Sequence, residues 1–149
     1  DAQTQGFFTG DSFGLSYREF DGPAGAWVFP TTTPVQFDPE AWEQTLARLL
    51  AFKPQRMYLT HFGMVQDVPK LAADLRRGLR DYVRIAQSLA TAPRRHFALK
   101  EALTKQALHE LADRDCPLPE LRCRALLDMD MELNAQGLGV WLDHFAKSA

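Results

Sequence analysis

The chain has 149 residues, of which 46% are hydrophobic and 24% are charged, as is typical of a soluble globular domain. Its net charge of −2 at pH 7 offers no excess of positive charge for binding nucleic acid or an anionic membrane surface. No apolar run approaches the roughly 20 residues that cross a bilayer, so we expect a cytoplasmic protein with no nucleic-acid or membrane partner.

Short strands and turns are predicted for the N-terminal part of the chain. The apolar run GFF, at 6–8, precedes a turn at Gly10 and Asp11. The segment LSYREF, at 15–20, alternates apolar and polar residues as a half-buried strand does. The apolar segment AWVF, at 26–29, is predicted as a further short strand because Gly and Pro residues bound it.

A helix and a strand follow with clear boundary signals. Asp38 is predicted to cap the helix, and Pro39 suits its first position. The helical pattern continues until Pro54, and the apolar segment RMYLT, at 56–60, is then predicted as a buried strand that ends directly before His61. This order of strand, helix and strand is typical of an α/β layer.

The remainder of the chain is predicted to be helical because its apolar residues recur at helical spacing. Four helices are predicted: one over 69–90, a second that carries the apolar residues from Phe97 to Leu111 and ends before Cys116, a third over about 119–134, and a short one over 138–145. Gly137 is expected to separate the last two. The fold class is therefore α+β, with a sheet-containing region over 1–67 and a helical region over 68–149.

Two cysteines lie in the helical region. Cys116 and Cys123 are seven residues apart and do not form a C-x-x-C motif. Because no secretory pattern accompanies them, reduced thiols are expected rather than a disulfide.

Two potential metal ligands each follow an apolar run. Asp11 comes after FFTG and His61 comes after MYLT. Metal-dependent hydrolysis needs such ligands on rigid ends of structure, and Gly10 and Gly63 allow tight backbone turns beside them. Taken alone, Asp11 is better explained as a turn residue that bonds its own backbone, and His61 as a packed or surface side chain.

The motifs around these two residues resemble a known family. FFTGDSFG and MYLTHFG, with FPTTTPVQFDPEAW between them, resemble the C-terminal half of hydrolases of the metallo-β-lactamase superfamily. The resemblance covers roughly residues 5–67 and implies half of an αββα sandwich. ELNAQGLGVWL, at 132–142, is similar to a helical C-terminal extension in one branch of these hydrolases.

The resemblance also implies a function and a site. It implies that Asp11 bridges two metal ions, commonly zinc, and that His61 ligates the second of them. The reaction implied is hydrolysis of an ester, thioester or amide-like bond in a small-molecule substrate. The helices after residue 68 would form a cap beside the site, although no motif identifies the residues that bind the substrate.

The family's H-x-H-x-D-H motif, which supplies most other ligands, is absent from this chain. The remaining histidines, His96, His109 and His144, lie on predicted helices at no ligand-like spacing. The chain begins with Asp1 rather than Met and has no signal-peptide pattern, so we expect a processed product or part of a longer protein. We therefore expect an incomplete and inactive chain, with no complete catalytic set of its own, whose partner is a missing N-terminal half.

Half of a two-sheet sandwich would leave one apolar sheet face without a partner. Candidates for that face are Phe7, Phe8, Trp27, Phe29, Met57 and Leu59. Burial against a second copy would relieve the exposure, so a homodimer is also expected.

A function of a different class fits the same sequence. A helical interaction or dimerisation module with a vestigial sheet would explain why more than half of the chain is predicted to be helical and why the H-x-H-x-D-H motif is absent. An H-x-H-x-D-H motif encoded in frame upstream of Asp1 would favour the hydrolase, and its absence would favour the module.

Overall fold

The computed structural model describes residues 5–32 and 37–148 and has the α+β class predicted from the sequence. The segment TPVQ of the motif FPTTTPVQFDPEAW, residues 33–36, lies outside this range. The described elements are β1 (Gly6–Gly10), α1 (Pro39–Ala51), β2 (Arg56–Leu59), β3 (Gly63–Val65), α2 (Val68–Ser88), α3 (Arg95–Asp113) and α4 (Glu120–Ser148). Among them, no helix combines the length and the apolar character needed to span a membrane.

The three strands form one mixed sheet in the order β1-β2-β3. β1 runs parallel to β2, and β2 pairs with β3 in an antiparallel hairpin in which Met57 lies opposite Val65. The sequence predicted β2 but missed β3, because a strand of three residues is too short to show an alternating pattern. Gly63, at φ +105°, starts that strand in a backbone conformation that favours glycine.

The predicted start of α1 is confirmed. The Asp38 carboxylate accepts hydrogen bonds from the backbone N–H groups of Glu40 (2.9 Å) and Ala41 (3.0 Å), and Pro39 occupies the first helical position. These contacts satisfy two of the donors that a helix leaves unpaired at its N-terminus.

The strands predicted over 15–20 and 26–29 are not present. The two segments share one isolated bridge, where Leu15 and Phe29 exchange backbone hydrogen bonds of 2.9 and 3.0 Å, and Arg18–Phe20 forms a 3₁₀ turn. Phe29 stacks on Trp27 with 4.8 Å between the ring centroids. Packing of these aromatic side chains against the helices, rather than a strand ladder, decides the local backbone.

Two groups of buried side chains form the core. The first, the sheet cluster, lies between the sheet, α1 and the N-terminal half of α2, and consists of Phe13, Val28, Leu46, Met57, Leu59, Val65, Val68, Leu71, Ala72 and Leu75. The second, the helical cluster, joins the buried faces of α2, α3 and α4 to Leu15, Phe20, Trp27 and Phe29. Helix α2 contributes to both clusters and so connects the sheet with the other helices.

The apolar sheet face expected to lack a partner is smaller than the sequence suggested. Trp27 and Phe29 are buried in the helical cluster, Met57 and Leu59 are buried in the sheet cluster, and Phe7 is half-buried. Of the six candidates, Phe8 alone is largely exposed, at 79%. The chain therefore covers most of these side chains itself.

Residues opposite one another in the register of the three strands form the exposed sheet face. Phe8 pairs with Tyr58, and Tyr58 pairs with Met64, so the three side chains share one side of the sheet. The Phe8 and Tyr58 rings stack at 4.8 Å, and Met64 is 38% exposed.

Helix α4 is continuous over 29 residues, so the predicted break at Gly137 and the separate helix over 138–145 are wrong. Gly137 is buried, and a Cβ atom built there would overlap the backbone carbonyl oxygen of Thr32. The glycine is thus required by the close approach of another segment and not by a helix end. Asn134, one turn earlier, binds the same segment: its Oδ1 accepts from the Thr32 N–H at 2.7 Å, and its Nδ2 donates to the Pro30 carbonyl at 3.2 Å.

We expect Gly137→Ala to lower the free energy of unfolding by about 1–3 kcal/mol, since the added methyl group overpacks a closed contact. Gly139→Ala is the matched control on the same helix, because the nearest atom to its Cβ would be the Arg95 guanidinium at 4.0 Å. That substitution should be neutral or stabilise by up to about 1 kcal/mol through helix propensity. Urea unfolding of both variants measures the difference, and equal effects would contradict the close-approach role.

Candidate functional site

The parallel pairing of β1 with β2 brings Asp11 and His61 to the same edge of the sheet. Gly10 is paired with Leu59 at the carboxyl ends of the two strands. Asp11 follows the first strand directly, and His61 follows the second after one residue. This sheet edge is where the side chains that follow parallel strands converge.

Asp11 occupies a tight turn. The Ser12 N–H donates to the Thr9 carbonyl at 3.0 Å, and Gly10 takes φ +54° inside that turn. The turn leaves the Asp11 side chain exposed, at the mouth of a cleft of about 420 Å³ between the turn and the start of α1. The cleft is lined by Asp11, Ser12, Thr31, Phe37, Asp38, Ala41, Trp42 and Thr45.

His61 is also exposed but lines a different cleft, of about 570 Å³. The other lining residues are Tyr17, Arg18, Glu19 and Phe62. The Arg18 guanidinium lies over the Phe62 ring, 4.6 Å from its centroid, which is the arrangement of a cation–π contact. Asp11 and His61 therefore share a sheet edge while lining different clefts.

A carboxylate on α4, Asp130, contacts one of the residues that line the His61 cleft. Asp130 is 9% exposed, and one of its oxygens accepts a hydrogen bond from the Tyr17 hydroxyl at 2.8 Å. Burial raises the pKa of the Asp130 carboxyl, while the Tyr17 hydrogen bond and the nearby charge of a protonated His61 oppose that rise. Burial and the same carboxylate raise the pKa of Tyr17, so this hydroxyl remains a donor.

Sequence reasoning missed Asp130 as a neighbour of the site. The signal was a carboxylate within the buried stripe of α4, between Leu127, Met131 and Asn134, where an apolar residue would be expected. Its partner Tyr17 is 113 positions away, and no local pattern connects two residues at that separation.

The remaining histidines make surface contacts. His96 Nε2 lies 2.8 Å from Glu132, and His109 Nδ1 lies 3.0 Å from Asp113 on the same helix. Both histidines lie on α3, as expected from the sequence, and His144 lies on α4.

The donor set determines whether a metal fits at the sheet edge. Catalytic zinc takes three protein ligands and a water. Within the described ranges, 5–32 and 37–148, no three His, Cys, Asp or Glu side chains are grouped so that they could hold a metal ion. Asp11 and His61 have the right chemistry, but two donors in this part of the chain do not make a catalytic zinc site.

The buried Asp130 carboxyl makes stability depend on pH. Because the pKa of Asp130 is raised in the folded state, the folded chain binds the carboxyl proton more tightly than the unfolded chain does. The stability that this tighter binding contributes is lost as the pH rises above the pKa of the unfolded chain, about 3.9. Asp130→Asn keeps an acceptor for Tyr17 but does not titrate. We therefore expect the free energy of unfolding of this variant to rise relative to that of the wild type as the pH rises from about 4.

Urea unfolding at a series of pH values measures this difference. Asp128→Asn is the control on the same helix, because Asp128 is exposed and pairs with Lys100 at 2.8 Å. Loss of that ion pair should give no gain in stability as the pH rises. A difference in the free energy of unfolding between Asp130→Asn and wild type that stays constant with pH would contradict the raised pKa of Asp130.

Comparison with known proteins gives no assignment for this chain. No family model, curated protein or solved structure matches it.

Proposed function

We propose that this chain is the C-terminal part of a metal-dependent hydrolase with the metallo-β-lactamase fold. In this proposal Asp11 and His61 would be two of the ligands of a two-metal site, with zinc as the expected metal; Asp11 would be shared by both ions, and His61 would belong to the second. The observation that carries the proposal is the parallel pairing of β1 with β2, which places a carboxylate and an imidazole at one sheet edge. The motifs FFTGDSFG and MYLTHFG each contain a strand end and the potential ligand that follows it.

The layering of the sheet region also supports the proposal. Helices α1 and α2 pack on one face of the sheet through the sheet cluster, while the other face carries the exposed Phe8. One sheet with helices on a single side corresponds to half of an αββα sandwich. A second half would supply the missing metal donors and cover the exposed face.

The chemistry of such a site is that of a metal ion that lowers the pKa of a bound water to about 7. The chain's own contribution is to hold two of the ligands on fixed strand ends. The hydrogen bond from the Tyr17 hydroxyl to Asp130 holds one lining residue of the His61 cleft in place, and Arg18 adds a positive charge to the lining. This cleft is where we place the small-molecule substrate, an ester, thioester or amide-like compound.

Zinc titration of the chain tests the assignment of ligands. The chain has four histidines, and NMR of their imidazole protons is the measurement that identifies which of them responds first to zinc. We expect His61 to respond at the lowest zinc concentration, with weak binding because the ligand set is incomplete. Asp11→Asn should weaken the His61 response about tenfold or more, since it removes the charge of the second donor.

His109→Gln is the matched control, because His109 and Asp113 form a surface pair of the same two donor types. This variant should leave the zinc dependence of His61 unchanged. A His61 signal that stays constant while His96 and His109 respond would contradict the proposal. Two tightly bound zinc ions per chain would contradict the incomplete ligand set.

An interaction module is the second candidate function, and the exposed sheet face favours it. Phe8, Tyr58 and Met64 form a contiguous apolar patch in which the Phe8 and Tyr58 rings stack. The patch lies outside both buried clusters. Such a patch is suited to contact with a second copy of the chain or with another sheet. The two candidates are compatible, because the same face would meet the other half of a sandwich.

We expect the isolated chain to self-associate through this face, since burial of Phe8 and Met64 removes apolar surface from water. Light scattering over a range of concentrations should show dimers at high micromolar protein, and the double variant Phe8→Ser, Met64→Ser should remain monomeric. Leu121→Ser is the control, because Leu121 is 80% exposed on α4, away from the sheet. A wild-type chain that stays strictly monomeric would show that the patch needs no partner.

A further inference from the structure

Two thiols meet where α3 is joined to α4. Cys116 lies in the connecting loop and is partly exposed, whereas Cys123 is buried in the first turn of α4. Their Sγ atoms are 3.8 Å apart, and both cysteines are free. A disulfide bond is about 2.05 Å long, so closing the pair requires about 1.8 Å of relative movement.

The backbone on both sides of this gap is held by helix ends. The Cys116 N–H donates to the Leu111 carbonyl at 3.0 Å, across Asp115 in the left-handed conformation at φ +54°, which is the pattern of a Schellman cap. The Cys123 N–H donates to the Pro119 carbonyl at 3.1 Å. Side-chain rotation of Cys116, which lies outside both helices, is therefore the main movement available for bringing the sulfur atoms together.

A small cleft leads to the two thiols. Its volume is about 190 Å³, and its lining combines the two cysteines with Leu108, Leu111, Ala112, Leu118 and Glu120. A cleft of this size admits the reactive end of a small disulfide compound, since a water molecule occupies about 30 Å³ of liquid volume.

We propose that Cys116 and Cys123 form a redox-active dithiol, which a low-molecular-weight disulfide such as oxidised glutathione converts to an intramolecular disulfide. In the first step, the Cys116 thiolate attacks one sulfur of the oxidant, forms a mixed disulfide and releases one thiolate. In the second step, Cys123 loses its proton to solvent and attacks the Cys116 sulfur, which releases the second thiolate. The two cysteines are oxidised, and the compound is reduced to two thiols.

The environments of the two sulfur atoms set the order of attack. Burial raises the pKa of the Cys123 thiol to about 11, and the neighbouring Cys116 adds to the rise. The Cys123 thiol also donates to the Leu118 carbonyl at 3.8 Å, which holds the proton in place. The partly exposed Cys116 therefore meets the oxidant first, and Cys123 resolves the mixed disulfide from within the chain.

Mass spectrometry of the full chain, alkylated after treatment with oxidised glutathione, tests the proposal. Wild type should lose two hydrogen atoms, carry no glutathione and bind no alkylating reagent, and a thiol reductant should reverse all three changes. Cys123→Ser should stop at one glutathione on Cys116. Cys116→Ser should react about tenfold or more slowly, because so little of the Cys123 thiol is ionised.

Each alternative outcome overturns a stated part of the proposal. Wild-type protein that retains two alkylatable thiols, or that accumulates with glutathione attached, would show that the pair does not close. Cys116→Ser reacting as fast as Cys123→Ser would overturn the order of attack. The wild-type reaction needs no substitution, so the main test holds even if a variant does not fold. None of these readouts depends on metal binding or hydrolysis.

Discussion

The buried hydrogen bonds between Asn134 and the segment Pro30–Thr32 hold the two parts of the structure together. Asn134 is 1% exposed, and it uses both its amide oxygen and its amide nitrogen on the backbone of that segment. The Thr32 hydroxyl adds a bond to the Asn134 backbone carbonyl at 2.9 Å. Apolar packing alone would tolerate small shifts between helix and loop, whereas these directional bonds fix one register. Gly137 then allows the backbones to approach without overlap.

Two further polar contacts repeat this arrangement along the same loop. Tyr17 reaches Asp130 on α4, and the Trp27 indole nitrogen donates to Glu110 on α3 at 2.9 Å. Helices α3 and α4 thus support residues 11–32, the part of the connection after β1 that the structure describes up to Thr32. Asp11 and Tyr17 both lie on that segment, so the helical region orients the candidate site although it supplies neither Asp11 nor His61.

Local signals predicted the elements whose stabilising contacts are themselves local. The start of α1 was correct because Asp38 and Pro39 act within one turn. The prediction of strands over 15–20 and 26–29 was wrong because aromatic residues suit a strand and a loop that packs against helices equally well. The prediction of a break at Gly137 was wrong because the sequence does not distinguish a glycine that makes room for a distant backbone carbonyl from one that ends a helix. The shared edge of Asp11 and His61 was accessible from sequence through the strand ends, whereas Asp130 depends on a contact over 113 positions.

The separation of these contacts along the chain has a consequence for the order of folding. Helices α3 and α4 are neighbours in sequence and can pair early, because closing a short loop takes little entropy. The hydrogen bonds from Thr32 to Asn134 and from Tyr17 to Asp130 span 102 and 113 positions. They therefore stabilise the chain only after most of it has folded. We therefore expect the helical pair to act as a template on which the loop and the sheet edge dock last. The edge that carries Asp11 and His61 would then be among the first parts to open when the folded chain fluctuates.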